Sequence, residues 1–168
     1  RPLNTISGTD VVRCVTEVIK DYTIDNLVAV SPAYTTYAGD NTYNSTGSGQ
    51  TDATMTIPAN GTITYLVKIE NDGNVTTQVT LTGTPATGGW SVTYYDGANT
   101  AAPVIPYSQI TSAQGWLRSG SITSGGTANV CVALSPATTT LGGAAGEYTG
   151  YVKIISVANS SVSDTIRT

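Results

Sequence analysis

The chain has 168 residues, with 7 Lys+Arg against 11 Asp+Glu, no His and no Phe. A formal charge of −4 and so few cations exclude the dense basic footprint that nucleic acid demands, and offer little to an anionic membrane surface. The lack of His removes imidazole acid–base catalysis, Ser-His-Asp triads and His-ligated metals together, while the length suits one domain able to bury a core.

Alternating and β-branched runs predict strands at 11–19, 23–30, 53–57, 62–70, 76–82, 91–95, 128–134, 148–157 and 161–166. The first, "VVRCVTEVI", is apolar on both faces: Val12, Cys14 and Val18 on one, Val11, Val15 and Ile19 on the other. An edge strand facing water would not carry that pattern. Either it is a central strand of its own sandwich, or it inserts into a groove on a neighbouring subunit, where strand addition satisfies its backbone.

The stretch "YAGDNTYNSTGSGQTD", residues 37–52, is expected as a surface loop dividing an N-terminal strand extension, 1–36, from a body at 53–168. Asp40, Asn41, Asn44 and Asp52 in it are hard oxygen ligands of the kind Ca²⁺ prefers. They lack the spacing of a calcium loop, so solvated turn residues are expected, with no metal and no cofactor.

In "ITYLVKIE", Ile63, Tyr65, Val67 and Ile69 alternate with Thr64, Leu66, Lys68 and Glu70, and "VTTQVTLTG" continues the period with Val79 and Leu81. Between them "NDGN" supplies turn chemistry, so a β-hairpin with Gly73 at positive φ is expected. The segment "PYSQITSAQGWLRSGSITSGG" leaves the strand count open. In "TANVCVAL", Val130, Val132 and Leu134 share one face and Asn129, Cys131 and Ala133 the other.

The stretch "TIPANGTITYLVKIENDGNVTTQVTLTGTPATGGWSVTYYDG" resembles the Ig-like β-sandwich repeats of bacterial and archaeal surface proteins, of the NPCBM-associated or CARDB-like type. The residues that carry the likeness are Pro58, Tyr65, Asn71 to Asn74, Gly89-Trp90 and Gly146 to Val152, and it covers 53–168. It implies an all-β, antiparallel Ig-like sandwich in which Trp90 is a core plug. Such repeats serve as spacers, adhesin stalks, enzyme appendages and filament subunits, so the resemblance implies a fold more than a function.

Chemistry-bearing patterns are sparse. There is no G-x-S-x-G elbow and no S-x-x-K pair, and Glu17, Glu70 and Glu147 sit in no glycosidase-like arrangement. An enzyme is not expected. Trp90, Trp116, Tyr94 and Tyr95 can be read as a sugar platform, but packing is the preferred reading. Low charge with abundant Thr, Ser and Asn is a habit of surface proteins. In that setting Cys14 and Cys131 suggest a disulfide, within one chain rather than between chains, against the alternative of two buried thiols. Closing a loop on the order of a hundred residues would stabilise by about 4–5 kcal/mol in the chain-entropy model. The sequons at Asn44, Asn60, Asn74 and Asn159 are possible glycan sites.

No apolar run reaches the roughly 20 residues that span a bilayer, and Arg1 in first place is expected to mark processing or excision. The composition and the doubly apolar segment at 11–19 together predict an extracellular or cell-surface structural subunit. It would polymerise with itself by strand exchange, carry possible glycans, and insert nothing into a membrane. The alternative is a carbohydrate-binding or adhesion module of a larger surface protein.

Overall fold

The computed structural model describes residues 13–30, 35–50, 57, 61–136 and 148–167. The strands are β1 (Ile24–Val30), β2 (Ile63–Asn71), β3 (Val79–Gly83), β4 (Trp90–Tyr95), β5 (Trp116–Leu117), β6 (Thr127–Pro136), β7 (Tyr151–Ser156) and β8 (Ser163–Arg167), with one short helix, α1 (Tyr107–Ile110), before β5. They form two four-stranded sheets, ordered β1-β2-β6-β4 and β5-β3-β7-β8, antiparallel at every pairing. The all-β expectation holds at this level, and the two sheets fit a sandwich.

The alternation read from the sequence decides which side chains lie between the sheets. Ile63, Tyr65, Val67 and Ile69 of β2 are buried in one core with Val130, Val132 and Leu134 of β6. From the second sheet come Val79, Leu81, Val152, Ile154 and Ile166. Register places Val67 between Val28 and Val130, and Leu81 opposite Ile154. Each such side chain contributes about 1.5–3 kcal/mol by leaving water. Polar groups also bridge the layers: the Asn26 amide donates to the Val152 carbonyl at 2.9 Å, and the Asn26 N–H to the Asp164 carboxylate at 2.8 Å.

Several expectations are corrected. Strands β2 and β3 are not a hairpin, since β2 pairs with β1 and β6 while β3 pairs with β5 and β7. The turn residues between them carry the chain from one sheet to the other. Asn71 fixes that corner by donating its amide to the carbonyls of Val75 and Ile122, both at 2.9 Å. Gly73 is not among the glycines at positive φ. Glycine is required there by space, because a Cβ would meet the Asp21 carbonyl carbon and the Thr23 nitrogen at 2.9 Å.

The predicted strand 11–19 is not formed over its described part: residues 13–19 enter no sheet. By contrast, residues of the predicted strand 23–30 are β1, paired along its whole length with β2, so the sandwich begins well before position 53. Residues 53–56 of the predicted strand 53–57 lie outside the described residues, and Ile57 packs against the core. Helix α1 and the two-residue β5 had no counterpart in the reading of the sequence.

The expected Cys14–Cys131 bridge is not formed. Cys14 is an exposed thiol and Cys131 a buried one. Cys131 sits on β6 between Leu66 of β2 and Tyr95 of β4, on the face turned away from Val130 and Val132. Burial pushes its thiol pKa up, which keeps it protonated and unreactive.

Candidate functional site

Two constructions stand out from the regular sheets: a projecting N-terminal segment and a strap that closes one edge of the two layers.

The segment at residues 13–21 is exposed at every position. Val15, Val18 and Ile19 are 74%, 76% and 82% exposed, the most exposed large hydrophobics among the described residues. Its root is nevertheless fixed. The Asn74 amide donates to the Ile19 carbonyl at 2.7 Å, while its Oδ1 accepts from the Asp21 N–H at 2.8 Å. The Asn74 N–H donates to the Asp21 carbonyl at 3.0 Å and the Gly73 N–H to the Thr23 carbonyl at 2.9 Å. Asp21 then accepts from the Thr23 hydroxyl at 2.6 Å, which holds its carboxyl below its ordinary pKa. Residues 13–18 make no hydrogen bond among the described residues. The segment is therefore an arm with a rigid shoulder, and the shoulder is the Gly73–Asn74 corner.

The strap is residues 37–50. Ala38 exchanges two backbone hydrogen bonds with Val28 on the outer edge of β1, at 2.8 and 3.0 Å. Further on, the Thr165 N–H donates to the Asn44 carbonyl and the Arg167 N–H to the Gln50 carbonyl, both at 2.9 Å. The strap thus covers the β1 edge of one sheet and the β8 edge of the other.

Its anchor is a fully buried carboxylate. Asp164 accepts from the Asn26 N–H and the Asn44 N–H, each at 2.8 Å, and from the Gln50 amide at 3.0 Å on both oxygens. The Gln50 amide also contacts the Thr42 carbonyl. Asp25, equally buried, accepts from the Asn41 N–H at 2.7 Å and from Asn26 N–H at 2.9 Å. Burial, with the Asp164 charge adding to it, pushes the Asp25 carboxyl up to about 7. Asp164 collects the donors, and Asp25 takes the proton. Asp25, Asp40 and Glu70 also bring carboxylate oxygens within 4.8 Å of one another. Their contacts are already made: Glu70 holds Lys68 at 2.8 Å and Asp40 accepts from the Asn41 amide at 2.9 Å.

The residues singled out from the sequence are scattered. Val15, Val18 and Ile19 share the arm with Cys14, while Val11 and Val12 lie outside the described residues. Of the sequons, Asn74 is the arm's clamp and Asn60 is outside the described residues. Asn44 is half-buried in the strap, and Asn159 caps a turn by accepting from Ser161 at 2.7 Å. Asp40, Asn41 and Asn44 are bonded within the strap, and Asp52 is outside the described residues. The tryptophans form no platform with the paired tyrosines. Trp90 packs on Tyr148 with ring centroids 5.8 Å apart, Trp116 packs against the core, and Tyr94 is buried with its hydroxyl donating to the Thr84 carbonyl.

Reading the sequence missed Asp25, Gln50 and Asp164. The signal for Asp164 was present, since it shares the inward phase of its strand with Ile166. Among the described residues no helix is long and apolar enough to cross a membrane. The chain matches no family model, no curated protein and no solved structure.

Proposed function

We propose that this chain is the structural subunit of an extracellular filament. In this reading the body is an Ig-like sandwich, and the arm of one copy adds as a strand to the next. The observation that carries the reading is the arm: three large aliphatic side chains held in water from a clamped shoulder, each more exposed than any other large hydrophobic among the described residues. Burying three such side chains on a neighbour is worth about 4–9 kcal/mol before ordering costs.

The acceptor edge is β4. The strap covers the outer edges of β1 and β8, and β5 is two residues long. β4 ends its sheet and is bridged beyond it at Tyr95–Val104, with Ile105 N–H on the Tyr94 carbonyl. Val92 lies two residues from Tyr94 and so presents its backbone on the same outer side. Exposed Val104 and Tyr107 flank this edge and offer apolar cover. Because the arm and β4 are different surfaces, the contact is heterologous and propagates into an open fibre.

The test is deletion of residues 1–20, followed by addition of a synthetic peptide of the same sequence. Polymerisation should stop. The peptide should bind the truncated chain and slow hydrogen exchange at the Val92 amide. A truncated chain that still forms fibres contradicts strand exchange. Isolated particles from the full chain would favour an adhesion or carbohydrate-binding module instead.

A further inference from the structure

A cavity of about 330 Å³ opens on the outer face of the second sheet, lined by Ser45, Thr46, Tyr151, Lys153, Thr165 and Arg167. Its charge is the opposite of the chain's. Two of the 7 basic residues of a protein with net charge −4 converge there, and none of the six lining residues is acidic. Elsewhere the described cations are matched or lie on the arm: Lys68 pairs with Glu70, Arg118 with Asp96, and Arg13 and Lys20 belong to the arm. Lys153 and Arg167 have no carboxylate partner among the described residues.

Their placement is enforced by the sheet. Lys153 stands opposite Thr165 and Tyr151 opposite Arg167, so the two cations are diagonal neighbours on adjacent strands, about 7 Å apart by backbone geometry. Like charges so placed repel, and an anion between them removes the repulsion. The floor is built as well. The strap lies directly on β8, where a Cβ at Gly47 would meet Arg167 Cγ at 2.9 Å and the Thr165 carbonyl at 3.2 Å. Thr165 donates its hydroxyl to the Ser45 carbonyl at 3.1 Å, and Arg167 Nε donates to the Thr46 carbonyl at 3.2 Å. That last bond fixes the guanidinium plane and leaves its two terminal nitrogens for a ligand.

We propose that this cavity binds the uronic acid residue of an acidic polysaccharide. The site goes beyond the assembly reading and does not depend on it. An Arg fork matches a planar carboxylate in a bidentate manner, and Lys153 adds a second positive charge. Tyr151, 45% exposed, supplies a ring wall for the apolar face of a sugar, and the hydroxyls of Ser45 and Thr46 supply polar partners for its own hydroxyls. The volume lies near the lower end of the roughly 300–1,000 Å³ usual for ligand pockets, which suits one pyranose ring rather than a bare ion.

The experiment is an NMR titration of the full chain with sodium D-glucuronate, D-glucose, sodium acetate and sodium phosphate in turn. Glucuronate should shift the backbone signals of residues 45, 46, 151, 153, 165 and 167 saturably. It should bind at least about tenfold more tightly than glucose, acetate or phosphate, because charge and ring both contribute. Lys153→Gln should weaken glucuronate binding about tenfold and leave the melting temperature unchanged, and Tyr151→Leu should lower its advantage over acetate. No saturable shift with glucuronate overturns the proposal. So does equal binding of acetate or phosphate, which would mark an adventitious anion contact, and so does equal binding of glucose.

Discussion

Replacing Asp164 with Ala asks how much the strap and the two sheet edges depend on one buried carboxylate. Three donors lose a charged acceptor at once: the Asn44 N–H is left without a partner, while the Asn26 N–H keeps Asp25 and the Gln50 amide keeps the Thr42 carbonyl. Hydrogen bonds to a charged group contribute about 1.5–3 kcal/mol each, and a buried donor left without a partner costs about 1–3 kcal/mol. Two effects reduce the sum. The strap can relax so that Asn44 and Gln50 reach water, and loss of the Asp164 charge relieves Asp25 beside it. A net loss of about 3–5 kcal/mol is expected, a large part of the roughly 5–15 kcal/mol that holds a domain of this kind. Urea unfolding followed by tryptophan fluorescence measures it as a fall in midpoint at unchanged slope. Asp164→Asn should lose less, since it keeps one acceptor oxygen while setting a donor against Gln50. A loss below about 1 kcal/mol for the alanine variant would refute the anchor, because an exposed carboxylate behaves that way.

Asp25 holds a proton in the folded chain up to about pH 7, whereas unfolded it releases one near 3.9. The folded state therefore binds more protons between those values, and stability falls as pH rises from about 4 to about 7. Asp25→Asn should flatten that slope, and a variant that keeps the wild-type slope would contradict the assignment. Gly73→Val places carbon where the Asp21 and Thr23 backbone already lies. It should destabilise by about 1–3 kcal/mol, read as a lower urea midpoint, and an unchanged midpoint would place the shoulder elsewhere. A thiol reagent should modify one cysteine per folded chain, Cys14, and a second, Cys131, only after unfolding. A chain with no titratable thiol before or after unfolding would restore the disulfide.

Strands β1, β2, β3, β4, β6, β7 and β8 were legible because each sets an apolar face on one core, and period two survives in the sequence whatever the partner strand. Pairing was not legible. The residues Asn71 to Asn74 have the same local chemistry whether they join neighbours in one sheet or cross between sheets, and the choice is made by Asp21 and Ile122, both distant in sequence. The two residues of β5 are too few to show any period. The strap misled for a related reason: its side chains are polar because they serve a buried carboxylate as much as water. In β8, Asp164 sits in phase with Ile166, and in β1, Asn26 sits in phase with Ile24 and Val28. A polar residue on an apolar phase is the signal for a buried network, and it was there to be read. The doubly apolar run at 11–19 was legible as a residue pattern, and the exposure of its described part defines what a partner would have to cover.

The most direct measurement is negative-stain microscopy of the full chain beside the variant Val15→Asp, Val18→Asp. Both side chains are in water in the single chain, so the variant should fold with an unchanged melting temperature. Regular fibres from the wild type and single particles from the variant are the result that strand exchange requires. Fibres from both, with the same spacing, would mean that the arm takes no part in assembly.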